Sequence, residues 1–477
     1  MSNSTYERID SLFHLRSIAF VGFSISNPGH WTRVAFDSLI EFGFEGSIYL
    51  VNLKGGEIEG RRVYQSLEDI PEPVDYVIST VSAQASPGLV EECARKGVKT
   101  IQFYTAGFSE TGEEEGIRLE AELVKIAKRK GIKILGPNCM GIYCPKSRLS
   151  FGVDFPKESG SVGAISQSGA NAINLIKDAM LRGIRFSKVI SHGNACDLNE
   201  SDFLEYLAAD TDTKIIALYI EGVKDGKRFR QALEKAAQEK VVILLKGGVT
   251  KGGARAAAGH TGALAGDEVV WDALCKQLGV IRVRSFEELV DTLVTILFMP
   301  LPRGRNVALI GGGGGPSVLI TDEFEKRGLT VPPLPEELIN QIREFTPIAG
   351  NILRNPIDYG QTMTEIEKLV ETVNIISQWE MIDFLIGFFR PSTMPQNARP
   401  LLFWMVDRVL KATKALSKPI ALVAIPSIVP EEAKETFPTI QRLVSLRLPI
   451  YFSFAGAADA ISRVLSYNET RTDKLRK

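Results

Sequence analysis

Short β-branched runs alternate with longer helical stretches almost from one end of the chain to the other. That alternation predicts parallel sheets covered by helices. The first block reads SIAFVGFS (17–24), a helical pattern near 31–42, SIYLVN (47–52), VDYVISTV (74–81), a helix over 87–96, KTIQFYT (99–105), a helix over 113–130 and KILGPN (133–138). Five strands with helices between them describe a Rossmann-type unit. After a polar connection near 145–160 a second block runs SVGAISQSG (161–169), KVISHGN (188–194), KIIALYIEG (214–222), VVILLKGG (241–248) and VIRVRS (280–285). A third follows the Pro/Arg-rich break MPLPRGR (299–305), with strands NVALIGG (306–312), MIDFLIGFF (381–389), PIALVAIP (419–426) and PIYFSF (449–454). Helical patterns over 363–378 and near 402–416 and 431–444 fill its gaps. The openings GAISQSGANAINLI and ALIGGGGGPSVLI share a strand, a small-residue turn and a helix, which reads as a weak repeat of one flavodoxin-like design. The expected fold is α/β throughout: a Rossmann-type domain over 1–147 and two flavodoxin-like doubly wound domains over 148–300 and 301–477.

A length of 477 residues agrees with about three domains at ~150 residues each. With 56 basic against 57 acidic residues, nothing favours nucleic acid or an anionic membrane surface, so an anionic ligand must be held by local sites. The five cysteines form no Cys-x-x-Cys pair and no zinc spacing, which predicts free thiols in a reducing compartment. The start MSNSTYERIDSLFHLRS lacks the apolar run of a signal peptide, and FLIGFF is far short of the ~20 residues of a membrane helix. A soluble, cytoplasmic protein is the expectation.

Doubly wound sheets bind ligands at the carboxyl ends of their strands, and the first strand-to-helix turn is the usual phosphate cradle. Here that turn is VGFSISNPGHWTR, with Gly22 and Ser24 at the strand end and Arg33 entering the helix. An NAD site wants an acid after the second strand; this chain has VNLKGG, with Asn52 and Lys54. Lys54 reads equally as a contact for a phosphorylated ribose or polyphosphate and as a surface lysine in a turn. SQSGA (166–170) offers Ser166, Ser168 and Gly169 at a helix start, suited to an anion or to simple serine capping. Glu221 ends the strand IIALYIEG and is either a solvated strand-end acid or a partner for an imidazole. His260 stands in AAAGHTGALAG among small residues: either a tolerated loop histidine or a nucleophile with clearance for a phosphoryl group. His14, His30 and His192 stand in less suggestive surroundings, although His30 could line the nucleotide turn.

Taken together these segments resemble the NDP-forming acyl-CoA synthetases, the superfamily that includes succinyl-CoA synthetase, across nearly the whole chain. GPNCMGI (136–142) is similar to the segment closing the family's CoA domain, SVGAISQSGA to its phosphate-holding turn, YIEG to the stretch with its ring-bonding glutamate, and AAAGHTGALAG to its phosphohistidine loop. The resemblance implies that the first domain binds coenzyme A as a substrate, with Gly22, Ser24, Arg33, Lys54, Val81 and Asn138 as candidate contacts. It implies catalysis by His260 and Glu221, and a phosphate site of Ser166, Ser168, Gly169 and Asn194. Acyl-CoA and phosphate would give an acyl phosphate, and His260 would pass the phosphoryl group to ADP or GDP. No ATP-grasp module is recognisable after the third block, so an α-subunit-like chain is expected, with ADP/ATP and Mg2+ on a separate ATP-grasp β subunit in a hetero-oligomer. Departures are HWTR in the CoA turn and GGGGG (311–315) in the third domain. The alternatives are a non-catalytic CoA-binding regulatory or scaffold protein and an NAD(P)-linked oxidoreductase, the latter disfavoured by the missing strand-end acid.

Overall fold

In the computed structural model the described residues are 3–261, 267–359, 365–390 and 418–476, with isolated positions between 404 and 411; of residue 260 only the backbone is described. The chain divides into two compact units. One comprises Met1–Met180 and Arg185–Arg284, the other Leu181–Ile184 and Ser285–Lys477.

The first unit contains two sheets. The first is built from β1 (Ser17–Val21), β2 (Ser47–Val51), β3 (Gly56–Ile58), β4 (Arg61–Tyr64), β5 (Tyr76–Ser79), β6 (Thr100–Phe103) and β7 (Lys133–Leu135), in the order β3-β4-β2-β1-β5-β6-β7. Every pairing is parallel except the edge hairpin β3–β4. Sequence periodicity misses that hairpin because it is an exposed edge, GEIEGRRVY, whose charged residues hide the alternation. The second sheet comprises β8 (Gly141–Tyr143), β9 (Val162–Ser166), β10 (Phe186–Ser191), β11 (Ile215–Ile220), β12 (Val241–Lys246) and β13 (Ile281–Val283), in the order β13-β12-β11-β9-β10-β8. Only β8, inside the GPNCMGI segment, runs antiparallel, along β10. The buried central strands read as continuous apolar runs because helices cover both their faces.

The two sheets share one apolar core, in which Phe13 stacks on Tyr206 with ring centres 5.4 Å apart. Polar groups fix their register. The Tyr206 hydroxyl donates to Asp10 (3.0 Å), and Asp197 accepts from Lys133 Nζ (2.8 Å) and the Ile134 N–H (3.0 Å). Gly193 sits in this seam at φ 55°, where an added Cβ would lie 2.2 Å from the Pro137 carbonyl oxygen and 2.3 Å from that of Asn138.

The second unit carries β14 (Val307–Gly311), β15 (Ile352–Leu353), β16 (Ile357–Asp358), β17 (Phe384–Phe389), β18 (Ile420–Ala424) and β19 (Ile450–Tyr451), in the order β15-β16-β14-β17-β18-β19. The antiparallel β15–β16 pair occupies the FTPIAGNILRNPIDYG stretch, whose two-residue strands are too short for periodicity to register. Within this unit Arg182 and Asp291 form a buried ion pair (2.7 Å), and Arg182 Nε also donates to the Ile450 carbonyl (3.1 Å). The helical pattern near 402–416 lies mostly outside the described residues. All five cysteines are free. Among the described residues no helix is long and apolar enough to cross a membrane, and no cluster of three His, Cys, Asp or Glu could hold a metal ion.

Two buried titratable groups of the second sheet are held away from their ordinary states. Burial depresses His192 from 6.5 to about 3, although the Glu221 carboxylate pulls it up; burial lifts Glu200, the first residue of helix Glu200–Ala209, from 4.5 to about 7. His192 is therefore neutral in the fold, and its stabilising contribution is lost as pH falls from 6.5 towards 3. Glu200 holds its proton up to about pH 7, and its contribution is present below 4.5 and lost as pH rises through 7. The two slopes oppose each other between pH 4.5 and 6.5.

Two predictions rest on this fold. Relative to wild type, His192→Phe gains unfolding free energy as pH falls below 6.5, and Glu200→Gln loses it as pH falls from 7 to 4.5, each by up to ~1.4 kcal/mol per unit. Denaturant unfolding at a series of pH values measures both differences. Separately, Gly193→Ala costs ~2–4 kcal/mol by overpacking plus left-handed strain, because the crowding atoms are backbone. Gly88→Ala, exposed in helix Ser86–Lys96 with open space around it, gains up to ~1 kcal/mol.

Candidate functional site

β9 ends at Ser166, and helix Gly169–Leu181 begins three residues later. Ser166, Gln167 and Ser168 are all buried at the join. The Ser166 hydroxyl donates to the Ser168 carbonyl (2.7 Å) and accepts from the Ser168 N–H (3.3 Å). The Ser168 hydroxyl accepts from the Asn171 N–H (3.4 Å), the capping use of serine. Both hydroxyls are thus engaged inside the turn. The Gly169 and Ala170 amides, at the positive end of the helix, are the turn's open donors among the described residues. Gly169 packs on Met140, where an added Cβ would lie 2.5 Å from Cγ.

Gln167 joins this turn to Glu221. Its side-chain oxygen accepts from the N–H groups of both Glu221 (2.7 Å) and Gly222 (3.1 Å), while its own N–H bonds the Tyr219 carbonyl (3.0 Å). Glu221 is buried, and its carboxylate accepts from the Tyr219 hydroxyl (3.0 Å). Lys246, ending β12, donates to the Glu221 carbonyl (2.6 Å). Burial, and then the neighbouring Arg282 charge, bring that ammonium down to about 8, against the pull of Glu221. Next along the edge lies His192, whose N–H bonds the Ser166 carbonyl (3.1 Å). Its ring is wholly buried against Phe203, with centroids 6.0 Å apart, and neither ring nitrogen has a hydrogen-bond partner among the described residues.

Asn194 is placed differently from the phosphate contact expected of it. Its amide nitrogen donates to Glu110 and to Glu120 (3.0 Å), its oxygen faces the Asn138 amide nitrogen (3.5 Å), and its N–H bonds the Pro137 carbonyl (3.0 Å). All of its donors are used in holding the GPN segment of the first sheet. Lys224 completes the cluster by pairing with Glu120 (3.3 Å). Asn138, at φ 58°, is half-buried in the same seam.

On the first sheet Gly22 lies at the end of β1 at φ 83°, and an added Cβ would meet the Thr80 hydroxyl at 2.7 Å and the Val81 amide nitrogen at 3.1 Å. Gly22 and Val81 therefore share one close backbone approach at the carboxyl ends of β1 and β5. Ser24 shapes the following turn, accepting from the Asn27 N–H (3.2 Å) and donating its own N–H to the Thr32 hydroxyl (3.2 Å). His30 caps helix Trp31–Phe42. The bulky Trp31 is accommodated by stacking flat on Tyr104, with centroids 4.0 Å apart. Arg33 is engaged by Asp37 (3.1 Å) and Glu59, so its charge is already paired. Lys54 is exposed in the turn after β2, its N–H held by the Asn52 side chain (2.9 Å).

His260 falls not in a loop but in the last turn of helix Lys251–Thr261. The run ARAAAGH is rich in alanine, the strongest helix former, which outweighs its glycines. The rest of AAAGHTGALAG, residues 262–266, lies outside the described residues, as does the His260 side chain. Gln167, His192 and Lys246 were not singled out from the sequence. Gln167 sits between two more conspicuous serines, and the apolar run before Lys246 conceals that a strand ends there in a charge.

The chain matches the family described as "CoA binding domain" over residues 16–145 and that described as "Succinyl-CoA ligase like flavodoxin domain" over residues 159–296. It is 37% identical over 429 residues to the α subunit of ADP-forming acetate–CoA ligase II of Pyrococcus furiosus, covering 90% of this chain and 92% of that one. It is 40% identical over 358 residues to the α subunit of ligase I of the same organism, covering 73% and 76%. The structure of the dinucleotide-forming acetyl-coenzyme A synthetase 1 of Ca. Korarchaeum cryptofilum, solved with phosphate and ADP, superposes with a TM-score of 0.80 at 30% identity over 98% of both chains. The three α/β sheets and these extended similarities give one assignment: the chain is an α-subunit-like member of the NDP-forming acyl-CoA synthetase family, the acid–CoA ligases.

Proposed function

We propose that the chain is the α subunit of an ADP-forming ligase interconverting a small acid, CoA and ATP with its acyl-CoA, ADP and phosphate. The observation that carries this reading is the Gln167 clamp, which places Glu221 beside a helix N-terminus with open amides. Phosphate held by the Gly169 and Ala170 amides would attack the thioester carbonyl, forming the acyl phosphate and releasing CoA as its thiol. His260 would then attack phosphorus, releasing the free acid, with Glu221 steadying the imidazole so that one nitrogen stays nucleophilic. ADP would take the phosphoryl group from His260 and become ATP.

CoA would enter at the Gly22–Val81 approach of the first sheet, with Ser24 in the same turn and Lys54 as an exposed cation for its phosphates. Asn138 would line its inner end. Arg33, paired twice, and Asn194, committed to Glu110 and Glu120, serve better as parts of the frame. The relatives named as α subunits support a separate partner chain, and we assign the ADP and Mg2+ site to an ATP-grasp β subunit. The division 1–147, 148–300 and 301–477 remains our partition of the chain into a CoA-binding and two flavodoxin-like domains.

The test uses the chain co-purified with its ATP-grasp partner, labelled phosphate, acetyl-CoA and ADP. An acid-labile, base-stable label is expected on His260, absent from His260→Asn, and Glu221→Gln should lower kcat by ~100-fold or more. ATP synthesis by His260→Asn at the wild-type rate would overturn the reading, and CoA binding without any phosphoryl transfer by the wild-type complex would favour a CoA-binding scaffold instead.

A further inference from the structure

The main chain and the carboxylate of Glu221 are held by different groups. Gln167 and Lys246 take the main chain: the Gln167 side-chain oxygen accepts from the Glu221 N–H (2.7 Å), and the Lys246 ammonium donates to the Glu221 carbonyl (2.6 Å) and to that of Gly247. The carboxylate is met instead by Tyr219, whose hydroxyl donates to Oε1 (3.0 Å). Tyr219 stands two residues before Glu221, so at the end of β11 both side chains leave the same face of the chain. The neighbouring backbone is cut back to make room for the hydroxyl. A Cβ added at Gly247, just past the end of β12, would lie 2.7 Å from the Tyr219 oxygen and 3.2 Å from the ring carbon that bears it. Gly247 lacks the positive φ that calls for glycine at Gly248, where φ is 72°. Clearance for the Tyr219 hydroxyl is what glycine supplies at 247.

We infer that Tyr219 is a positioning residue of this site: its hydroxyl fixes the rotation of the Glu221 carboxylate, holding Oε1 so that Oε2 is presented to the imidazole that takes the phosphoryl group. This inference rests on the function proposed above and adds one residue to it. A carboxylate on two methylene groups can turn, whereas the imidazole N–H it must meet has one direction; anchoring one oxygen removes that freedom before the reaction begins. The step served is the attack of the other imidazole nitrogen on phosphorus. The N–P bond forms as the acyl P–O bond breaks, and the electron pair leaves with the carboxylate of the free acid. A neutral donor suits the task. Burial, and then the Glu221 charge, raise the Tyr219 hydroxyl above its ordinary value, so it keeps its proton and donates. It leaves the carboxylate its full charge, whereas an ammonium in its place would draw that charge away from the imidazole. Lys246, the cation at this strand end, is spent on carbonyl oxygens.

A double-mutant cycle tests it. Tyr219→Phe removes the hydroxyl and keeps the ring, and Glu221→Ala removes the carboxylate it holds. The wild type, both single variants and the double variant are each purified as the complex with the ATP-grasp subunit. The rate at which labelled phosphate and acetyl-CoA label His260 is measured for each, together with kcat and the KM values for CoA and phosphate. Tyr219→Phe should slow the labelling and lower kcat by ~10-fold or more, the loss expected of a hydrogen bond to a charged group. Its KM values should stay within ~2-fold of wild type, which also shows the variant to be folded. In the Glu221→Ala background the same substitution should cost less than ~2-fold, because no carboxylate is left to aim. A wild-type labelling rate for Tyr219→Phe, a change confined to KM, or a loss carried in full into the Glu221→Ala background would overturn the role of Tyr219 and leave the proposed function intact. A wild-type complex that places no label on His260 would overturn both.

Discussion

The geometry of the site depends on one side-chain amide. Parallel strands β9 and β11 are in register up to Ser166 and Tyr219, and beyond that point β9 has no further strand residues to pair. Gln167 extends it: its N–H reaches back to the Tyr219 carbonyl, and its side-chain oxygen accepts from the next two amides of the neighbouring chain. Two backbone donors that would otherwise be buried without partners are satisfied by one acceptor, and each would cost ~1–3 kcal/mol if orphaned. The chemical consequence follows from the mechanical one. A helix N-terminus and a carboxylate from different strands are held in fixed relation, which the phosphoryl transfer proposed for this site would require.

A second constraint acts across the two sheets of the first unit. Glu110 and Glu120 meet Asn194 at the GPN segment, and Lys224 pairs with Glu120. An amide suits that position because its NH2 group can serve two carboxylates at once, which a phosphate-binding role would forbid. Gly193 beside it has no space for even a methyl group. The seam thus fixes the carboxyl ends of the first sheet, where CoA would lie, against those of the second, where the phosphate would lie. A thioester reaching from one to the other needs that spacing to be constant.

The fold class was legible from hydrophobic periodicity because the central strands are buried on both faces, and apolar runs such as IIALYI and VVILLK can be little else between helices. The pieces that escaped are those whose physics is not periodic: the exposed hairpin β3–β4, the three-residue antiparallel β8 and the two-residue pair β15–β16. In the site, Glu221, Ser166, Ser168 and Gly169 stand where a strand-end reading places them. What the reading could not supply was how their donors are distributed. Side chains that look available in a string of letters, such as Ser168 and Asn194, prove to be engaged by their neighbours. His260 stood out through its neighbours' small size and through the resemblance of its segment, and those same alanines draw it into a helix.

Burial sets His192 apart from the histidine to which the proposed mechanism gives the phosphoryl group. A residue that is to carry a phosphoryl group must be basic enough to attack and open enough to hold the product; in the proposed mechanism a carboxylate such as Glu221 would meet the first condition. His192 has the opposite setting. It is enclosed by Phe203 and the backbone of Ser166, and burial holds it neutral. A second basic imidazole beside the phosphoryl path would compete for the proton or for phosphorus; a neutral, enclosed one does neither. Burial alone thus excludes His192 from the nucleophile's part.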